Sequence, residues 1–163
     1  MVVNMKKVVR SASPAAVAVL RQATALVPNR MKANDGLLPS AAHLKTSPNS
    51  DHNTGLAADL THDPKNGIDC EVIFEELKKD ERVSYLIFKG KIWSRDRRAE
   101  GNRTYSGSNP HNKHLHISIR SSHADDTSPW FGFLKGKPKY ANRVVAALAR
   151  KPKKKDIPSP KEA

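Results

Sequence analysis

His114-Leu115-His116-Ile117-Ser118-Ile119-Arg120 alternates polar and apolar side chains, the period of a β-strand with one buried face. Leu115, Ile117 and Ile119 make the buried set. His114, His116 and Ser118 share the opposite face and project into a cleft or onto the surface. Such a strand needs neighbours. Val83–Phe88, Lys89-Gly90 and Lys91–Ser94 read as a β-hairpin with glycine in its turn. Leu56–Leu60 reads as another short strand, leaving through Thr61-His62-Asp63-Pro64.

Helix signals flank these strands. Ser13-Pro14 reads as the N-cap and first residue of an amphipathic helix running to about Val27. Asp69 is placed to cap a second helix, with Val72, Ile73, Glu76 and Leu77 at helical spacing and Lys78-Lys79 in its last turn. Pro28 to Thr54 reads as a long irregular stretch and Arg95 to Asn112 as a polar loop. Pro129-Trp130-Phe131-Gly132-Phe133-Leu134 is expected to pack an aromatic cap onto the core. The fold class is α+β, a small and mostly antiparallel sheet with helices on one side.

The 163 residues have room for one domain and a modest core, and a hydrophobic fraction of 37% argues against disorder as the default. The formal charge of +13 is unevenly spread. Residues 135–163 hold ten Lys or Arg against Asp156 and Glu162, so most of the excess sits in a terminal tail containing Lys151-Pro152-Lys153-Lys154-Lys155. That divides the chain into a domain over 1–134 and a basic Lys/Pro-rich tail over 135–163, with a short helix expected within 140–149 around Val144–Leu148. The tail suits any polyanion, including anionic wall polymers. Lys6, Lys7 and Arg10 precede only a short apolar run that Arg21 and Gln22 end, so no signal peptide is expected, and no stretch approaches a membrane span. Synthesis in the cytoplasm follows as the expectation, with export left to some other agent. The single cysteine, Cys70, cannot form an internal disulfide and reads as a buried structural thiol.

Chemistry concentrates in two segments. Ser50-Asp51-His52-Asn53-Thr54-Gly55-Leu56-Ala57-Ala58-Asp59 sets an imidazole seven residues before a carboxylate, with Gly55 permitting a tight path between them. Pro110-His111-Asn112-Lys113-His114-Leu115-His116 ends in two imidazoles one residue apart. Two neighbouring strands and the loop before one of them can bring His52, Asp59 and one imidazole of the pair around a single zinc ion, leaving its fourth position open. His62 and Asp63 are either support for that site or turn residues; His43 and His123 read as surface residues.

Ser50-x-His52-x-x-Gly55-x-Ala57-x-Asp59 followed by His114-x-His116, with Tyr105-Ser106-Gly107-Ser108-Asn109-Pro110-His111 ahead of it, resembles the zinc D-alanyl-D-alanine carboxypeptidase and L-alanyl-D-glutamate endopeptidase family. Phage endolysins are among its members, and its fold is shared with the hedgehog domain. The resemblance spans roughly residues 14–134. It implies a hedgehog/DD-peptidase-like fold, a Zn2+ ion on His52, Asp59 and His116, and hydrolysis of amide bonds in bacterial peptidoglycan by a phage-type endolysin, acting as a monomer and released to the wall by a holin-like pore. Peptidoglycan-cleaving members often carry an acid three positions before the last ligand; here Lys113 stands there. His114 is then the expected general base, with His111 in reserve, since an imidazole titrates near neutral pH. Arg30 or Lys45 would supply the cation that such members use toward the oxyanion or a substrate carboxylate, or else both are solvated loop charges; Ser50 is expected to brace the motif. Two rival functions remain: a non-catalytic zinc-binding domain on the same fold that binds cell wall, and a metal-dependent nuclease or nucleic-acid-binding protein.

Overall fold

A computed structural model describes residues 9–134. The basic segment 135–163, with the helix expected within 140–149, lies outside the described residues. Ser13 Oγ accepts the Ala16 N–H at 3.2 Å and Pro14 opens helix α1, Pro14–Leu26, as its sequence signals require. The amphipathic expectation needs correction: even Arg21 and Gln22 are buried. The closing segment covers Gln22. Gln22 Nε2 donates to Thr127 O at 3.1 Å, and Gln22 Oε1 accepts from Trp130 N at 2.8 Å.

Five strands make one antiparallel sheet in the order β1-β5-β2-β3-β4: β1 Ala57–Thr61, β2 Val83–Phe88, β3 Lys91–Ser94, β4 Arg103–Thr104 and β5 His114–Ile119. The hairpin of β2 and β3 has the boundaries its alternation predicts. The first strand lies one residue later than Leu56–Leu60, and β5 stops before Arg120. Asp59 stands opposite His116 in the β1–β5 register. A bulge between Val83 and Tyr85 turns those two residues to opposite faces, so Val83 joins the core while Tyr85 lies opposite Ser118.

One face of the sheet carries Ala58, Leu60, Leu86, Phe88, Leu115 and Ile117 into the hydrophobic core. Helix α3, Cys70–Leu77, packs on that face. Asp69 caps it through Glu71 N at 3.0 Å, and Ile73, Phe74 and Leu77 are its buried positions. Val72, expected on the apolar stripe, is 41% exposed. Cys70 is buried, its thiol facing Leu60 O, and burial pushes its pKa up, so it packs as the expected structural thiol. The aromatic cap closes the core as expected, with Trp130, Phe131 and Leu134 buried and Phe133 packed beside them. Trp130 Nε1 donates to Ala15 O at 3.0 Å, and the Arg82 guanidinium lies 3.6 Å from the Trp130 ring centroid while donating to Ser128 O and Pro129 O.

The stretch expected to be irregular contains a short helix, α2 Ala41–Thr46, and a 3-10 turn over Asp51–Thr54. Each starts on a serine cap, Ser40 or Ser50, and α2 buries no residue, so it leaves no apolar period to read. A further 3-10 segment, Arg95–Glu100, and β4 lie within the expected polar loop. Gly55 ends the Asp51–Thr54 turn at φ 72°, and a Cβ there would meet Ser11 O at 2.7 Å. Gly55→Ala is therefore expected to combine left-handed strain with a backbone clash, lowering the midpoint of thermal unfolding by roughly 5 °C or more. An unchanged melting curve would show that the 9–13 segment yields freely.

Candidate metal centre

The β1–β5 register sets Asp59 and His116 on the face of the sheet away from the core, and the capped Asp51–Thr54 turn brings His52 to them. His116 Nδ1 lies 3.1 Å from Asp59 Oδ1, and His52 Nε2 lies 3.2 Å from the same oxygen. All three side chains are nearly inaccessible to solvent. His52 Nδ1 donates to Leu37 O at 2.8 Å, which leaves the Nε2 lone pair aimed at a carboxylate oxygen. Two lone-pair atoms so close require a cation between them, either a proton or a metal. Donors about 2.0–2.1 Å from a tetrahedral ion would sit about 3.3 Å apart, near the separations observed. His52, Asp59 and His116 could hold a metal ion.

Electrostatics agrees. Burial alone would lower the His52 pKa, but the Asp59 carboxylate raises it above the ordinary imidazole value. Burial would raise Asp59, yet the neighbouring imidazoles hold it well below the carboxylate range. The site is built around a fixed negative charge.

The segment before this motif supports it. Arg30 is 4% exposed and forks onto the Asp35 carboxylate, with contacts of 2.9 and 2.6 Å, while its Nε donates to Thr24 Oγ1. Asp35 also accepts from Thr61 N at 3.1 Å and Thr61 Oγ1 at 2.7 Å, tying the segment to the end of β1. Gly36 exchanges backbone hydrogen bonds with Asp59, and a Cβ on it would press to 3.1 Å from Asp59 Oδ2. Leu37 then presents the carbonyl that orients His52. Arg30 is thus neither a substrate-facing cation nor a solvated charge, correcting both alternatives. Lys45 is exposed on α2.

A cleft of about 270 Å³ opens over the metal site. Its floor includes His52, His116 and Tyr85, whose ring stacks 5.3 Å from that of His116. Thr46, Ser47 and Ser50 line it as well, as do Tyr105, Ser108, Asn109 and His111. Ser50 braces the turn, as expected, by accepting from His52 N. His43, read as a surface residue, lines the cleft with its ring 5.7 Å from that of His52.

His114 and His111 both reach the centre. His114 Nε2 is 3.6 Å from Asp59 Oδ2, set behind the cleft lining, and its ring is 4.9 Å from that of His111. His111, His114 and His116 are all buried, so the surface alternative for the His-x-His pair does not hold. His111 Nδ1, His114 Nε2 and His116 Nε2 are buried without hydrogen-bond partners among the described residues. Burial, reinforced by the adjacent imidazoles, pushes His111 down to about 4; burial also lowers His114. Lys113 is exposed. His62 and Asp63 belong to the fold rather than the metal centre: His62 Nδ1 accepts from Cys70 N, and Asp63 accepts from Met31 N and Asn66.

A family model described as VldE, C-terminal domain, matches residues 9–116, and the chain belongs to that family. No curated protein and no solved structure matches it.

Proposed function

We propose that this member of the VldE C-terminal domain family is a zinc-dependent peptidase that hydrolyses amide bonds in the stem peptides of bacterial peptidoglycan, an endolysin of the phage type. The observation that carries the reading is the convergence of His52 Nε2 and His116 Nδ1, two residues that line a cleft, on one buried Asp59 oxygen. Two imidazoles, one carboxylate and no thiolate suit zinc, and three protein ligands beneath a cleft are the pattern of a catalytic rather than a structural site. An antiparallel sheet with the His-x-His pair on an inner strand is compatible with a hedgehog/DD-peptidase-like fold. Zinc held there would supply a Lewis acid for a carbonyl and lower the pKa of a water to about 7.

His114 takes the proton from the attacking water and returns it to the leaving amine. His111 is the alternative base, favoured by one specific observation: it lines the cleft while His114 lies behind it. Among the described residues no helix is long and apolar enough to cross a membrane. The proposed route to the wall is a holin-like pore, and the basic tail would then hold the enzyme on anionic wall polymers.

Mass spectrometry of purified peptidoglycan after incubation is expected to show new amino termini that disappear with a chelator, and it names the bond cut. No release from several wall chemotypes would favour a wall-binding domain instead. His114→Ala is expected to retain metal and lose most turnover. A near-normal rate there, with the loss falling on His111→Ala, would move the proton-transfer role to His111.

A further inference from the structure

Amide hydrolysis builds negative charge on the scissile carbonyl oxygen, and a preorganised donor aimed at that oxygen adds to the stabilisation a metal would supply. Of the two cations expected upstream, Arg30 is closed on Asp35 away from solvent and Lys45 is not among the residues that line the cleft. Two phenols face the cleft. The Tyr85 hydroxyl is engaged by Ser118 and Asp51, whereas the Tyr105 hydroxyl makes no hydrogen bond to any described residue.

We propose that Tyr105 is a catalytic residue whose hydroxyl donates a hydrogen bond to the scissile carbonyl oxygen as its charge develops, an inference that rests on the peptidase reading above. Its loop is tied at both ends to the turn between β2 and β3. Tyr105 N donates to Gly90 O at 2.8 Å, Gly90 N donates to Pro110 O at 2.8 Å, and Lys89 N donates to His111 O at 3.1 Å. These ties hold His111 at φ 58°, a left-handed conformation costly for a residue with a side chain. They also set its ring edge-on to Tyr105 at 5.6 Å, so the phenol and His111 line the same cleft as His52 and His116.

Gly107 gives the phenol its place. A Cβ at residue 107 would run into the Tyr105 hydroxyl and ring, coming 2.7 Å from Cε1. The ring therefore occupies space that any other residue's side chain would claim, and the obstructed group is the movable end of a side chain rather than backbone. The phenol keeps its proton throughout; it donates a hydrogen bond and transfers nothing.

The test uses the full zinc-loaded chain, a peptidoglycan fragment as substrate and a phosphinate dipeptide as the tetrahedral probe. Tyr105→Phe is expected to lower kcat about 10²-fold with KM little changed, matching the loss of one oxyanion donor. Phosphinate affinity, read by calorimetry, should fall by a comparable factor while zinc content stays at the wild-type level. Gly107→Ala, which displaces the ring without removing the hydroxyl, should reproduce both losses. Wild-type protein that cleaves the fragment while Tyr105→Phe stays within twofold in kcat and phosphinate affinity overturns the inference alone. Wild-type protein that neither cleaves the fragment nor binds the phosphinate overturns the peptidase reading, and the inference with it.

Discussion

His116→Ala is expected to lose metal and turnover together, leaving less than about a tenth of the wild-type zinc per chain after dialysis. On the proposed ligand set the side chain is one of three protein donors, and the other two are held apart from it by different elements. Asp59 lies on β1, and His52 is fixed by the Leu37 carbonyl. Neither can shift to replace a missing Nδ1, because Asp59 is locked in register between β5 and Gly36. Retaining two ligands therefore does not retain a fraction of the affinity; the ion loses the geometry that selected it. His62→Ala is the matched control. It removes an imidazole whose Nδ1 accepts from Cys70 N, so it should loosen the start of α3 while metal content stays unchanged. Zinc is counted by atomic absorption, with circular dichroism to establish that both variants are folded. Metal retained by His116→Ala would refute the ligand set, whatever became of activity.

What could be read from the sequence is what rests on local physical signals. The hairpin Val83–Ser94 announces itself by alternation and Gly90, and α1 and α3 by Ser13-Pro14 and Asp69. That His52, Asp59 and His116 come together was legible because two short motifs bring their own spacing. Pairings set by the tertiary fold were not. Nothing near Val83 marks the bulge that turns Tyr85 toward His116, since that bulge is a property of the β2–β5 register. Nothing near Arg30 reveals that its partner is Asp35 rather than a substrate, because a loop arginine and a buried one look alike until burial is known. His43 stands on a six-residue helix with no buried side chain, so no apolar period placed it, and only the tertiary fold sets it beside His52.

The second large effect follows from that buried pair. Arg30→Met is expected to destabilise the protein by about 3–5 kcal/mol, because it leaves the fully buried Asp35 carboxylate without its cation. The loss is not that of a salt bridge in the ordinary sense. The intact pair offsets its own desolvation by using both terminal guanidinium nitrogens on both carboxylate oxygens, and a lone carboxylate keeps the desolvation cost without the attraction. Arg97→Met is the contrast: Arg97 and its partner Glu100 are both solvent-exposed, and its removal should leave stability little changed. A second substitution separates charge from shape. Asp35→Asn in the Arg30→Met background retains a carbonyl oxygen to accept from Thr61 while removing the stranded charge, so it should recover part of the stability. The same variants report on the metal centre. Residues 35–37 deliver Gly36 against Asp59 and the Leu37 carbonyl to His52, so loosening them should weaken zinc binding by about 10- to 100-fold even where the fold survives. Urea midpoints give the first quantity and a competitive chelator the second. A cost below about 1 kcal/mol for Arg30→Met would show that Asp35 becomes hydrated or protonated without the arginine. Unchanged zinc affinity would show that His52 keeps its orientation without the 30–37 segment.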